Sequence, residues 1–306
     1  MVTIVIISYN TRRQTVECLR SLDARSLAGD IVIVDNCSED ESCEAIAEEV
    51  PAAFLIRSKR NLGFAAANNL AAKNAVGDYL LLLNPDTVVQ DRAIDKLLAF
   101  AREHPDAGIW GGRTTFADGS LNPASCWGRM SVWSVFCQGV GLSSLFRNSS
   151  FFNPEGYGGW KRDTVREVDI VSGCFFLIRR ELWEKLGGFD PAFFMYGEEA
   201  DLCLRARKIG ARPMVTPDAT IIHHGGASEQ VREDKMVRLL TAKVMLMERH
   251  WRPRLVPLGV LMLKAWPLSR AVAWGLLSFG FRRRAIERAR EWWAVWVRRG
   301  EWTASG

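Results

Sequence analysis

Four consecutive leucines, Leu80 to Leu83, run straight into Asn84-Pro85-Asp86-Thr87. An unbroken apolar run of this kind reads as a strand buried on both faces, the pattern of an inner strand in a parallel sheet covered by helices. Pro85 stops the ladder. Ligands of open α/β sheets gather beyond the carboxyl ends of the strands, so Asn84 and Asp86 stand where a polar ligand or a hard cation would be met. An Asx-type turn, with Asp86 satisfying local backbone donors, explains the stretch equally well. The choice between them rests on the rest of the chain.

Upstream, Val2 to Ile7 and Ile31 to Val34 are β-rich apolar runs that end in polar turns, Ser8-Tyr9-Asn10-Thr11 and Asp35-Asn36-Cys37-Ser38. Helical patterns follow each, over Thr15 to Leu22 and up to Glu49, the latter with Ser38 and Glu41 spaced for a capping box. Ala53 to Arg57 makes a third strand. This rhythm predicts an α/β sheet whose ligand edge is built from strand ends. The next loop carries Arg57, Lys59 and Arg60, then Asn61-Leu62-Gly63 and an alanine-rich helix from Ala65 to Ala75. Cations beside the free N–H groups of a helix start suit a diphosphate; an alanine-rich surface helix behind a solvated loop is the plainer reading. No Gly-x-Gly-x-x-Gly follows the first strand and no P-loop occurs, which argues against a nicotinamide dehydrogenase or a P-loop enzyme.

Downstream, a helix over Ala93 to Arg102 and a strand over Gly108 to Thr115 precede a loop-rich excursion, Phe116 to Lys161, that is expected to wall an acceptor pocket. Val168 to Ile178 reads as strand broken at Ser172-Gly173, and Glu181 to Leu186 as a short helix. A second polar focus then opens at Gly188: Phe193, Phe194 and Tyr196 lead into Glu198, Glu199 and Asp201 at a helix start. Acidic groups in a first turn are stabilised by the helix dipole in any protein. A cluster behind aromatic rings also suits a carboxylate whose pKa is raised towards that of a general base. Two short strands, Pro213 to Val215 and Ala219 to Ile222, lead to His223-His224-Gly225-Gly226-Ala227-Ser228. Adjacent residues in extended chain point opposite ways, so one of the two histidines can face a given site. One histidine and one aspartate can share a divalent cation whose other ligands are substrate phosphates.

The chain has 306 residues, enough for one large α/β domain or one domain with an appendage. Its opening residues already read as a strand, so no export leader is expected, and seven cysteines without paired spacing fit reduced thiols in a cytosolic protein. The net charge of +5 is unevenly placed: residues 251–306 hold eleven Lys and Arg against three Glu. A helix over Arg232 to Arg249 leads to a tail whose apolar stretch, Leu255 to Phe281, is interrupted by Pro257, Lys264, Pro267 and Arg270, so a membrane span is not expected. Seven of the twelve tryptophans lie beyond residue 250, mixed with Arg282-Arg283-Arg284 and further arginines. That composition suits a peripheral helix on an anionic leaflet, with packing inside the molecule or in an oligomer as the second reading. Nucleic acid is not expected as a partner.

Taken in order, Ser8-Tyr9-Asn10, Val34 to Asp40, Asn61 to Asn68, Leu83 to Asp86, Ser172-Gly173-Cys174, Gly188 to Arg205 and His223-x-Gly-Gly-x-Ser228 resemble the family 2 glycosyltransferases, closest to their rhamnosyltransferase-like branch in bacterial envelope polysaccharide synthesis. The resemblance covers residues 1 to about 230. It implies a GT-A type fold, a Rossmann-like, mostly parallel α/β sheet flanked by helices, with residues 1–250 catalytic and 251–306 a helical C-terminal extension. It implies an inverting, metal-dependent transfer of a sugar, rhamnose from dTDP-rhamnose first, to a polyprenyl-linked or oligosaccharide acceptor at the inner face of the cytoplasmic membrane. Ser8, Asn10, Asp35, Arg60, Asn61, Gly63 and Asn84 are then expected to frame the nucleotide sugar, and Asp86 and His223 to hold Mg2+ or Mn2+. Glu199 aligns with the family's catalytic aspartate, with Glu198 and Asp201 as the alternatives. Trp160, Gly173 and Tyr196 are expected on the acceptor side. Two other classes fit less well: a non-catalytic nucleotide-sugar binder, and a sugar nucleotidyltransferase, which would carry a glycine-rich basic loop where Ser8 to Arg13 has none.

Overall fold

The computed structural model describes residues 1–23, 30–225, 232–278 and 283–303. Gly226 and Ser228 of the histidine motif and Arg282 of the arginine run lie outside the described residues. The chain forms two compact units: Met1–Trp127 with Lys161–Ser228, and Gly128–Trp160 with Glu229–Gly306.

The first unit is built on a sheet of β1 (Val2–Ser8), β2 (Asp30–Asp35), β3 (Phe54–Arg57), β4 (Tyr79–Leu83), β5 (Thr87–Val89) and β6 (Ile109–Thr115), completed from later in the chain; β7 (Cys126–Trp127), β8 (Arg166–Glu167), β9 (Ile170–Val171), β10 (Phe175–Arg179) and β11 (Met214–His223) follow. The order is β3-β2-β1-β4-β10-β6-β11-β5, with β8 also on β11, and β7 pairs with β9 separately. The half from β3 to β4 is parallel; β10 enters antiparallel between β4 and β6, and β11 lies parallel to β6. The four leucines take the expected inner place, Leu80 to Leu83 being almost wholly buried between β1 and β10. On one face, Ile4, Ile6, Ile33, Leu81, Trp110 and Leu177 share a core with helix residues such as Leu19, Ile46 and Leu97. The Phe64–Ala72 helix buries Ala65, Ala67 and Ala71 completely, so its alanines serve close packing rather than a solvated surface.

Several elements differ from the sequence reading. Ser38 does not cap a helix: the Ser42–Glu49 helix starts at Glu41, in the left-handed region, with no side-chain cap, and Ser38 Oγ instead accepts from the Asn10 N–H at 3.0 Å. The two strands expected over 213–222 are one strand, β11, whose register is irregular between Thr216 and Thr220, because Pro217 has no N–H for the ladder. The excursion from 116 is loop-rich, as expected, but it is not without regular structure. It contains a helix, Val132–Val140, started by a reciprocal Ser131–Ser134 capping box and ended at Gly141.

The second unit gathers that helix with Arg232–His250, Val256–Leu277, Arg283–Val297 and Arg299–Thr303. Val135, Leu240, Met247, Leu263, Val295 and Trp302 form its core, which is why the 232–250 helix belongs here with the tail. Lys243 is buried and paired with Glu155. The apolar tail stretch is one continuous helix across Pro267: Pro257 lies in the first turn, where a missing N–H costs nothing, and buried Pro267 is held by packing. Pro253–Leu277 is long and apolar enough to cross a membrane by length and composition, against the expectation from its interruptions, and 22% of its most apolar window is buried.

Candidate active site

Strand direction assembles the site. β1, β2 and β4 are parallel, so Ser8, Asp35 and Leu83-Asn84 end at one edge. Antiparallel β10 starts there, bringing Gly173 and Cys174, and β6 and β11 finish there, bringing His223. The Asn84 N–H donates to the Cys174 carbonyl at 3.0 Å, which stitches the β4 end to the β10 start.

On the β2 side, Asp35 is buried. One of its oxygens accepts from the Ser38 N–H at 3.2 Å, while Oδ1 has no partner within the protein. Next to it Asn36, which sequence reasoning passed over, donates to Asn61 Oδ1 at 3.0 Å and accepts from the Leu62 N–H at 2.9 Å. Its position directly after a strand end was the available signal. Asn61 also accepts from the Gly63 N–H, so the two amides shape the loop expected at the diphosphate. Arg60 stands exposed on that loop. Ser8 is fully buried and its hydroxyl belongs to a cluster with Thr11 and Thr15, a supporting place rather than an open one. Asn10, exposed and in the left-handed region, accepts from the Glu39 N–H at 2.8 Å.

Gly63, at φ +77°, leads into the Phe64–Ala72 helix, and a Cβ there would lie 2.4 Å from the Phe194 carbonyl oxygen. The Phe64 N–H donates to that same oxygen at 2.8 Å. This bond ties the loop at Asn61 to the segment that carries Tyr196, at φ +72°, and then Gly197 and the Glu198–Lys208 helix.

The three carboxylates of that helix part company. Asp201 is buried and takes Arg205 Nε at 2.7 Å, and the same guanidinium donates to the carbonyls of Leu186 and Gly188. It is one end of a clasp. Glu198 and Glu199 keep one oxygen each, Oε2, buried without a partner. Burial raises the Glu198 pKa well above the ordinary carboxylate value, and the neighbouring Glu199 charge adds to the rise. Burial raises Glu199 as well, against backbone N–H groups that include that of Gly173. Gly173 thus borders Glu199. Trp160 lies in the second unit, edge-on to Tyr157 with ring centres 5.9 Å apart.

At the far end, His223 Nε2 stands 3.4 Å from Asp86 Oδ1; both residues are largely buried. Burial works against the imidazolium, but the Cys174 sulfur and the Asp86 carboxylate outweigh it and hold the His223 pKa up, at about 10. His224 points instead towards Glu17, at 4.0 Å, as alternation requires. Among the described residues no three His, Cys, Asp or Glu side chains converge as a complete metal cage. Asp86 and His223 nevertheless fit a shared Mg2+ or Mn2+: cis ligands with bonds of about 2.1 Å stand about 3 Å apart. The orphaned Nδ1 of His223 and Oδ1 of Asn84 further show an edge with polar capacity to spare.

A mixed α/β sheet with acidic and amide side chains ranged along one edge in this way is a fold of the GT-A type. Residues 3–187 match the family described as Glycosyl transferase family 2, and the chain belongs to that family. Over 212 residues it is 28% identical to the N-acetylglucosaminyl-diphospho-decaprenol L-rhamnosyltransferase of Mycobacterium tuberculosis, covering 63% of this chain and 66%, just under two thirds, of that protein. It is also 28% identical to rhamnosyltransferase WbbL of Escherichia coli over 238 residues, 73% of this chain and 83% of that one. Among solved structures, the mannosyltransferase PcManGT from Pyrobaculum calidifontis, in complex with GDP-Man and Mn2+, superposes with a TM-score of 0.59 at 16% identity, over 97% of this chain and 86% of that one.

Proposed function

We propose that this chain is an inverting glycosyltransferase that moves a sugar from a nucleoside-diphospho-sugar to a hydroxyl of a polyprenyl-linked or growing glycan acceptor at the inner face of the cytoplasmic membrane. The observation that carries the reading is the set of buried polar atoms without protein partners on Asp35, Asn84, Glu198, Glu199 and His223, five residues brought together by one sheet edge and the helix start beside it. Leaving such groups unpaired is costly, and a polar ligand removes the cost.

In this reading Asp35 receives the nucleotide, and Arg60, Asn61 and the loop at Gly63 face the diphosphate. Asn84 hydrogen-bonds the donor. Asp86 and His223 would hold Mg2+ or Mn2+, which when bound offsets charge growing on the leaving diphosphate. Glu199, oriented by the Gly173 N–H, accepts the proton of the acceptor hydroxyl as that oxygen bonds to the anomeric carbon. The bond from that carbon to the diphosphate breaks on the opposite face, releasing nucleoside diphosphate and inverting the centre. Glu199 is preferred over Asp201 because Asp201 is already engaged by Arg205. The names of the mycobacterial and Escherichia coli relatives support rhamnose as the sugar, with dTDP-rhamnose the first donor to try, and the Mn2+ in the Pyrobaculum complex supports the cation.

The test is thermal stabilisation by a panel of nucleoside-diphospho-sugars with and without Mn2+, followed by product analysis. Metal-dependent stabilisation by one donor, nucleoside diphosphate release with acceptor, and loss of turnover but not of donor binding in Glu199→Gln are expected. Pyrophosphate as product would make the chain a nucleotidyltransferase, and stabilisation without any turnover a binder.

A further inference from the structure

The Val256–Leu277 helix is mostly apolar, with Lys264 and Arg270 its only charged residues, yet it is buried on one side only. Gly259, Leu263, Pro267 and Ala271 face inward at four-residue spacing. A helix turns 100° per residue, which places Leu258, Leu261, Leu268, Val272 and Leu276 on the opposite side. Leu261 and Leu276 are 65% and 64% exposed, and Leu258 and Val272 are exposed as well. From Leu258 to Leu276 the stripe runs about 27 Å along the helix, with Lys264 at its border, about 40° round from Leu268. Arg270 falls on the inner half of the helix, and its guanidinium donates to Ser144 Oγ at 2.5 Å. An apolar helix face that no core covers is suited to lying in lipid.

Its inner side is fastened along its length. Gly259 packs so closely on the Trp251 ring and the Met247 sulfur that a Cβ would stand 2.5 and 2.8 Å from them. Ser269 Oγ donates to the Gly139 carbonyl at 2.6 Å, and Trp266 lies 6.0 Å from Trp292. A helix held this way to elements that carry charged side chains cannot cross a bilayer without losing those contacts. It can lie in the plane of one. The Arg283–Val297 helix adds the complement: Arg283, Arg284 and Arg290 are exposed on it, as are Trp293 and Val297, and Arg299 stacks over Trp296 at 4.0 Å.

We propose that the outer face of the second unit is a docking surface for an anionic lipid bilayer. The leucine stripe lies at the boundary of headgroups and acyl chains, and Arg283, Arg284 and Arg290 meet lipid phosphates. The occupant is assigned by charge: the excess of eight positive charges in residues 251–306 repels a second copy and attracts an anionic leaflet. This deepens the lipid-linked acceptor reading by naming the surface that brings the chain to it, yet it uses none of the transfer residues.

The experiment is flotation of the purified full chain with vesicles of phosphatidylcholine alone or with about one third phosphatidylglycerol. Strong binding to the anionic vesicles is expected. Leu261→Asp with Leu276→Asp should lower that binding at least tenfold, while Arg283→Gln with Arg284→Gln and Arg290→Gln should lower it on anionic vesicles alone. The melting temperature and donor-induced stabilisation are followed in each variant, so that loss of fold or of the donor site is told apart from loss of docking. The proposal is overturned if the wild type ignores both vesicles, if the leucine variant binds as well as wild type, or if that variant changes only a dimer–monomer equilibrium.

Discussion

Replacing Gly63 by alanine tests the link between the donor loop and the segment that carries the carboxylates. The new Cβ would meet the Phe194 carbonyl oxygen at 2.4 Å and its ring at 2.7 Å. The ring is partly exposed and can swing away; the carbonyl is backbone and cannot. Holding a residue with a Cβ at φ +77° and ψ 171°, a region essentially reserved for glycine, costs about 1–3 kcal/mol. Relieving the overlap adds about 1–3 kcal/mol, and the Phe64 N–H bond to Phe194, if broken, about 1 kcal/mol more. Alanine recovers about 0.4–1 kcal/mol through a less free unfolded chain. The net is about 3 kcal/mol, a shift of roughly 6–12 °C in melting temperature for a unit of this size. Gly187→Ala is the comparison, because Gly187, at φ +73° and ψ 19°, lies in the milder left-handed region and has nothing within 4 Å of its added Cβ. It carries the left-handed cost, about 1–2 kcal/mol, and no overlap. Thermal melts of the two variants beside wild type, read by circular dichroism, should therefore separate by several degrees. Equal melting temperatures for the two would refute the close coupling of Gly63 to Phe194.

Other outcomes follow from the same geometry. Asp201→Asn should lower melting temperature by several degrees and leave residual turnover, whereas Glu199→Gln should abolish turnover with little loss of stability; equal kinetic loss in both would reverse the assignment. The raised Glu198 pKa means that the folded state holds its proton where the unfolded chain has released it. Stability therefore falls as pH rises from the unfolded value, about 4.5, through the raised one, and Glu198→Gln should flatten that fall in melts taken across the range. In the second unit, Lys243→Met leaves Glu155 buried and unpaired, a loss of about 3–5 kcal/mol; adding Glu155→Leu should restore much of it in urea titrations. Asp86→Ala or chelation with EDTA should remove the Mn2+-dependent part of donor stabilisation and leave the melting of the unliganded chain within a few degrees of wild type.

Much of the sheet was legible because its signal is local. Val2 to Ile7, Ile31 to Val34 and the four leucines each announce a buried strand by composition alone, and strand ends locate the edge where Asp35, Asn84, Asp86 and His223 meet. What the local pattern does not carry is partnership across the sequence. Asp201 and Arg205 sit four apart on one helix, a spacing in plain view, yet that the guanidinium also grips the carbonyls of Leu186 and Gly188 depends on the turn before it. Ser38 has capping chemistry and uses it on Asn10 instead. Pro267 reads as a break, but packing on its buried side carries the helix through it. The second core was the least visible: Val135 and Val295 touch the same cluster although nothing in either stretch names the other.

That second core is discontinuous in the chain, and the ribosome delivers its parts at different times. Its first part, Gly128–Trp160, emerges before residues 161–228, which belong to the other unit. The helix that buries Val135 has no cover until Leu240, Leu263 and finally Trp302 have followed. At 5–20 residues per second this wait lasts on the order of ten seconds. Through it, the apolar side of Val132–Val140 is a surface for chaperones or for aggregation. A truncation near residue 228, attractive because it keeps the whole sheet, would make that interval permanent.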